Sequence, residues 1–509
     1  MNRNDNIKDK YLRLDTIPEK GYLDCDKSSL EEKIIRDSIN AAKDSLSMYK
    51  QGSTTKPGTI PHELPLYVQQ IVQKMSNPNA VDREMFRGAA NREKDVLSMT
   101  SRLFGKVDGD ELDAGYLLSG GSESLNQIAY MLRNKYFMQT LGQNVRHTGL
   151  AKAIINATLT RQKNGQNNHS NVITPRILLP VNYHFCGIKG ADLLGLGNDS
   201  LAFYDLDNNF DVDEVSLENT VKEIYDSGDD IIYNLTVAGD TSHGKVHDIK
   251  RISTIVNKIS KEYNKKSPPI IIDAAGSYMF IGVMRNNPQY DGILPEVSFT
   301  IPNVEAIVAD PHKQPIPYSC GMLMLKDMDN VRYTDMRALS NPSYLDMDDS
   351  DSKDISAALA TIPTSRSGSN AFALWAYMAF QGMSGLKAEK ERIWNLVKDF
   401  RDYVASNENL ELVCEPQTQI VSFMYKGTGE ENIEIYKNIK NNSLDSCYIS
   451  KDEGMLVKTS KQRERVNSGS LDYSGLFVTI MEHNTQKHMD KLKKRIDELV
   501  KTPVYFNRE

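Results

Sequence analysis

Short apolar runs that stop abruptly at polar clusters dominate the middle of the chain. Ile177–Pro180 leads into the polar block Asn182 to Asp192, and Asp230–Ala238 leads into Gly239 to Asp248. Pro269–Asp273 ends in Asp273-Ala-Ala-Gly-Ser-Tyr278, and Ala306–Ala309 ends in Asp310-Pro-His-Lys313. Runs of this kind, with little alternation, suit strands covered on both faces. Helical patterns fall between them, so the chain reads as α/β, with a large, mostly parallel seven-stranded sheet and helices on both faces. Open sheets of this class bind ligands beyond the carboxyl ends of their strands.

On either side the pattern changes. Residues 1–90 read as a helical arm, with an amphipathic stretch Leu30–Tyr49, a loop Gln51–Pro61 and a helix Leu64–Met75 broken at Ser76-Asn-Pro-Asn79. Residues 91–336 form the large domain, entered through a helix from Asn91 to Phe104 with Val96, Leu97, Met99 and Leu103 at helical spacing. Residues 337–509 read as an α+β small domain preceded by a mobile acidic loop that includes Asp346-Met-Asp-Asp-Ser-Asp351. Its expected helices are Ala371–Gly382, Lys387–Tyr403, Asn432–Lys440 and Thr485–Val500, and its strands Ile420–Met424 and Leu476–Met481.

Composition narrows the classes. A formal charge of -7 over 509 residues gives no nucleic-acid footprint. No apolar run approaches the roughly 18 residues of a spanning helix, and the N-terminus has no signal-peptide core, so a cytoplasmic location is expected. Five scattered cysteines without CxxC spacing suit a reducing compartment. Among nine histidines there is no HExxH array, so a metal site is not indicated.

The chemistry sits where the strands end. Ala114–Leu118 runs into Ser119-Gly-Gly-Ser-Glu-Ser124 and a helix to about Gln139. Peptide N–H groups at such a helix start attract anions, which makes Gly121, Ser122, Glu123 and Ser124 candidates for a phosphate cup. Lys313 follows His312 in a polar elbow, where desolvation and a neighbouring histidine are expected to lower its pKa and free an amine for an aldehyde. With Asp273 and His184 these are the parts of a pyridoxal 5'-phosphate site. Asp273 would pair with the ring nitrogen, His184 would stack on one ring face, Ala275 would pack on the other, and Lys313 would carry the cofactor.

These residues resemble the group II pyridoxal-phosphate-dependent decarboxylases of fold type I, in the branch of archaeal tyrosine/aspartate decarboxylases and sphingosine-phosphate lyase. The matching pieces are Ser119 to Ser124, His184 with Lys189-Gly-Ala191, Ala238-Gly-Asp-Thr241 with Gly244, Asp273-Ala-Ala275, Asp310 to Lys313, and Thr364-Ser-Arg-Ser-Gly368. The resemblance implies a Schiff-base lysine at Lys313, phosphate contacts at Asp310, His312 and the Gly121–Ser124 turn, and support of the ring aspartate by Thr241. For Arg366 it implies either a substrate-carboxylate contact or structural pairing. It further implies a homodimer with shared active sites that decarboxylates an L-amino acid, with an aldehyde-releasing C–C lyase as the alternative. Tyr344 is a candidate proton donor. In the lyases a lysine that serves the substrate phosphate stands six residues beyond the Schiff-base lysine; here that position is Ser319.

Overall fold

A computed structural model describes residues 78–80, 86–163, 172–313, 316, 319–339, 357–441, 450–452, 456–467 and 475–501. The helices expected at Leu30–Tyr49 and Leu64–Met75, the acidic stretch 346–351 and Tyr344 lie outside the described residues.

Strands β1 (Gly115–Leu118), β2 (Arg176–Pro180), β3 (Leu201–Tyr204), β4 (Ile231–Val237), β5 (Ile270–Asp273), β6 (Val304–Ala309) and β7 (Gly321–Leu325) form one sheet, in the order β1-β7-β6-β5-β4-β2-β3. Only β7 runs against the rest, pairing antiparallel with β6 and β1. The other strands therefore share one carboxyl rim. The main helices are α1 (Arg87–Leu103), α2 (Gly121–Gln139), α3 (Leu150–Lys163), α4 (Cys186–Leu193), α5 (Glu214–Asp226), α6 (Ile249–Glu262), α7 (Tyr278–Met284), α8 (Ser369–Ser406), α9 (Gly429–Asn441), α10 (Ser460–Asn467) and α11 (Gln486–Lys501).

Alternation along the strands builds two apolar layers. Ile270 and Ile272 of β5, with Met322 and Met324 of β7, face α1, α7 and the start of α8. Ile271, Leu323 and Leu325 face α2 and α4 on the other side. Every residue of β4 is buried, Asn234 and Thr236 included, as expected of a central strand covered on both faces. The α8 helix contains the two helices expected from sequence, separated at Gly382 (φ +58°, ψ 177°), a conformation that glycine adopts without strain.

A second, antiparallel sheet has the order β10-β11-β9-β8, from β8 (Leu410–Leu412), β9 (Ile420–Tyr425), β10 (Ser450–Asp452) and β11 (Gly475–Thr479). Its apolar face packs on the later part of α8 and on α9 and α11, around Trp394, Phe400, Phe423, Leu476 and Met489. The residues before β9 reach back to the rim of the large sheet. Gln417 Oε1 accepts from the Val246 N–H at 2.9 Å, and Gln419 Nε2 donates to the Gly276 carbonyl at 3.0 Å. Gly244 (φ +68°) leaves room for Thr418, whose Oγ1 would lie 2.2 Å from a Cβ there. Among the described residues no helix is long and apolar enough to cross a membrane.

Beside this contact His247 is fully buried, and its Nδ1 has no hydrogen-bond partner among the described residues. Burial pulls its pKa from 6.5 down to about 4; Asp240 opposes the shift, while Lys245 and His243 add to it. The unfolded chain therefore takes up a proton between those values while the folded protein does not. Stability is complete above pH 6.5 and declines as pH falls towards 4, by up to about 3 kcal/mol from this residue. Urea unfolding at pH 7 and pH 5 should show that slope in the wild type and a shallower one in His247→Asn.

Candidate active site

At the end of β6 the chain turns through a 3-10 segment, Pro311–Lys313, closed by the Lys313 N–H on the Asp310 carbonyl at 2.9 Å. Lys313 Nζ lies 2.9 Å from Asp310 Oδ2, and Asp310 Oδ1 is buried without a hydrogen-bond partner among the described residues. The neighbouring His312 keeps its Nδ1 3.8 Å from Asp310 Oδ1 but makes its hydrogen bond to the next strand. Its Nδ1 donates to the Cys320 carbonyl at 2.7 Å, and its own N–H donates to the same oxygen at 3.2 Å, which fastens the elbow to the start of β7. These contacts reverse the expectation for Lys313. Burial does lower its pKa, but the charge and hydrogen bond of Asp310, with the charge of Asp273, outweigh it and raise the value overall. The protein at this stage holds an ammonium group, stabilised by a carboxylate that the amino-acid order alone did not weigh.

Asp273 closes β5, in register with Val308 of β6. The Ala275 N–H donates to its Oδ1 at 3.1 Å. Burial raises the Asp273 pKa; His184, the Ala275 N–H and Lys313 pull it down, while Asp310 adds to the rise. His184, on the loop from β2 to α4, accepts the Cys186 N–H at its Nδ1 (3.3 Å). Its ring lies 4.1 Å from that of Phe185. Cys186 is buried and feels the charges of Asp273, Lys313 and Asp310; burial pushes its thiol far up, which leaves it inert. Asp273, Lys313, Asp310 and His184 thus meet at the carboxyl ends of neighbouring strands.

The glycine turn after β1 faces them. A Cβ on Gly121 would lie 3.0 Å from both Asp310 carboxylate oxygens and 3.2 Å from the Ala275 Cβ. Gly120 rests on Gly321, where a Cβ would come within 2.4 Å of the Gly120 carbonyl carbon. Glu123 does not point into the site, because its carboxylate accepts the Ser119 N–H at 2.7 Å. Ser124 is also engaged within the turn, donating to the Gly120 carbonyl through its N–H at 3.0 Å and its hydroxyl at 3.1 Å. The early N–H groups, at Gly121, Ser122 and Glu123, are the ones the helix ladder leaves to meet an anion.

Two sequence expectations need correction. Thr241 is exposed, and the Asp273 carboxylate is bonded by the Ala275 N–H rather than by the Thr241 hydroxyl. The reason is the loop after β4: the Asp240 carboxylate gathers the N–H groups of His243 (3.1 Å) and Lys245 (2.9 Å), leaving Thr241 at the outer tip. Arg366 is not a free carboxylate receptor either. Its guanidinium pairs with Glu93 at 2.7 and 3.2 Å and donates to the Leu117 and Ala80 carbonyls, with both charged side chains 5% exposed. Losing one member of such a buried pair costs about 3–5 kcal/mol. Structural pairing is the role the geometry supports.

Glu93 was not singled out from sequence. A signal existed: it lies on the buried face of α1 with Val96, Leu97 and Thr100, and a carboxylate on an apolar face needs a partner. A cavity of about 310 Å³ opens at the opposite, amino-terminal edge of the sheet, bounded by Asp230, Lys265, Asn303 and Glu305. Its buried Asp230 is already held by Arg161, Lys265 and the Tyr136 hydroxyl. The converging groups of the carboxyl rim lie elsewhere.

A family model described as the pyridoxal-dependent decarboxylase conserved domain matches residues 125–426. A probable L-tyrosine/L-aspartate decarboxylase of Methanothermobacter thermautotrophicus is 25% identical over 358 residues, covering 70% of this chain and 78% of the relative. An L-aspartate decarboxylase of Thermococcus kodakarensis is 23% identical over 95% of this chain and 99% of its own length. Among solved structures, tryptophan decarboxylase of Catharanthus roseus with L-tryptophan superposes with a TM-score of 0.70 at 15% identity, covering 98% and 92% of the two chains. The last likeness concerns the fold, that of the fold type I enzymes.

Proposed function

Because the chain belongs to the pyridoxal-dependent decarboxylases, enzymes that use pyridoxal 5'-phosphate to remove a carboxyl group from an amino acid, we propose that Lys313 carries the cofactor and that an L-amino acid is converted to its amine and CO2. The observation that carries this reading is the juxtaposition of Lys313 with Asp310 at 2.9 Å, beside Asp273 on the adjacent strand.

The residues present fit the cofactor. Asp310 Oδ1 is buried and accepts no hydrogen bond from the described residues, Gly121 lets the turn approach it closely, and Asp273 is a desolvated carboxylate suited to a cationic ring N–H. In this reading the N–H groups of Gly121 and Ser122 hold the phosphate with His312, and His184 presents its ring to the cofactor. When bound, the cofactor supplies the sink for the electron pair left as CO2 departs. Asp310 Oδ2, 2.9 Å from Lys313 Nζ, orients that amine at the rim. Asp273 keeps a negative charge in a site shielded from water, where it is worth most. A homodimer belongs to the same reading, supported by Phe185, a large apolar residue 55% exposed beside His184.

Two results are expected. Gly121→Ala pushes on Asp310, and through it on Lys313, and should weaken cofactor binding about 10- to 100-fold by equilibrium titration. Incubation of the loaded enzyme with each common L-amino acid should release one amine together with CO2 by mass spectrometry. Aspartate and tyrosine come first in that screen, since they are the substrates named for the relatives. Release of an aldehyde without CO2 would overturn decarboxylation.

A further inference from the structure

We propose that Glu93 and Arg366 form a positioning pair that holds the glycine turn after β1 in its cofactor-binding shape, and that Arg366 does not contact substrate. The inference rests on the assignment of that turn to the cofactor phosphate. Among the described residues, strand β1 lies at the edge of the large sheet and is bonded only to β7. An edge strand leaves outward peptide groups without a neighbour. At Leu117 a pair of side chains takes the neighbour's place: Glu93 Oε1 accepts the Leu117 N–H at 2.7 Å, and Arg366 Nη1 donates to the Leu117 carbonyl. Glu93 and Arg366 are themselves joined through two hydrogen bonds, at 2.7 and 3.2 Å. The planar guanidinium and the carboxylate thus grip Leu117 through the peptide groups on both sides of it.

Leu117 leads, through Leu118 and Ser119, into Gly120 and Gly121. A shift of Leu117 has little slack to absorb it, because Gly120 is packed on Gly321 and Gly121 on Asp310. The segment that carries Arg366 also braces the other wall of the site. Asn370 Nδ2 donates to the Ser319 carbonyl at 2.7 Å, next to Cys320, whose own carbonyl holds His312. From the far side, residues 78–80 fix Arg366 itself: the Ala80 N–H donates to the Arg366 carbonyl at 2.8 Å, and the Arg366 N–H donates to Asn79 Oδ1 at 3.1 Å. A substrate carboxylate could reach this guanidinium only by displacing Glu93 from a pair that is 5% exposed on each side.

The test separates cofactor binding from substrate binding. Cofactor-free wild type, Glu93→Gln and Arg366→Lys are titrated with pyridoxal 5'-phosphate by equilibrium dialysis, and kcat and KM are then measured at saturating cofactor. Both variants should bind cofactor about tenfold or more weakly, with KM for the amino acid within about twofold of wild type. A raised KM in Arg366→Lys with unchanged cofactor affinity overturns the inference and restores Arg366 as a substrate contact. A lowered thermal midpoint with unchanged cofactor affinity overturns it too, by making the pair a general stabiliser. Should both variants fail to fold, Glu93→Asp keeps the charge, shortens the reach and carries the same comparison. Failure of the wild type to bind the cofactor would sink the proposed function instead.

Discussion

Lys313→Ala abolishes turnover, by about 10³-fold or more, and the protein loses the visible absorbance of covalently held cofactor. The change also leaves Asp310, a carboxylate 5% exposed, without its ammonium partner at 2.9 Å. A structural cost therefore accompanies the chemical one, on the order of 1–3 kcal/mol for a lost hydrogen bond to a charged group. Lys313→Arg separates the two. Arginine keeps a cation beside Asp310 and preserves the thermal midpoint, but it stays protonated and cannot attack an aldehyde. Turnover near the wild-type rate in Lys313→Arg would remove Lys313 from the chemistry.

Much of the framework was legible because burial on both faces leaves a plain mark in the sequence. The runs ending at Pro180, Ala238, Asp273 and Ala309 are close to β2, β4, β5 and β6 as observed, and their polar ends form the shared rim. The glycine turn and the helix running to Gln139 were equally visible. What the order of residues hid was pairing across the chain. Glu93 and Arg366 are 273 positions apart, so nothing local marks either as the other's partner. The charge on Lys313 depended on the same kind of information. Its sequence neighbour His312 turns to the Cys320 carbonyl, while Asp310, three positions back, folds onto the amine. Thr241 failed for a related reason, since the closure of its loop on Asp240 decides where the hydroxyl lies.

Asp273→Asn is expected to move activity and stability in opposite directions. Asparagine has the same shape and can still accept the Ala275 N–H, now 3.1 Å from Oδ1, so the end of β5 keeps its geometry. Only the charge goes. In the cofactor-free protein that charge is a burden, because burial raises the Asp273 pKa despite His184, the Ala275 N–H and Lys313. A carboxyl whose folded pKa is raised stabilises the fold at low pH, and the benefit is lost as pH rises through that value. At neutral pH the amide should therefore unfold at the same temperature as wild type or a higher one. Turnover should fall about 10²- to 10³-fold, the loss typical when a preorganised electrostatic partner is removed from a shielded site. The pH dependence gives a second reading. Wild-type cofactor affinity should weaken as acid neutralises Asp273 above the usual carboxylate range, and that component should be missing from Asp273→Asn. A variant that loses stability while keeping its turnover would mean that Asp273 is a structural turn residue and that the ring nitrogen finds its partner elsewhere.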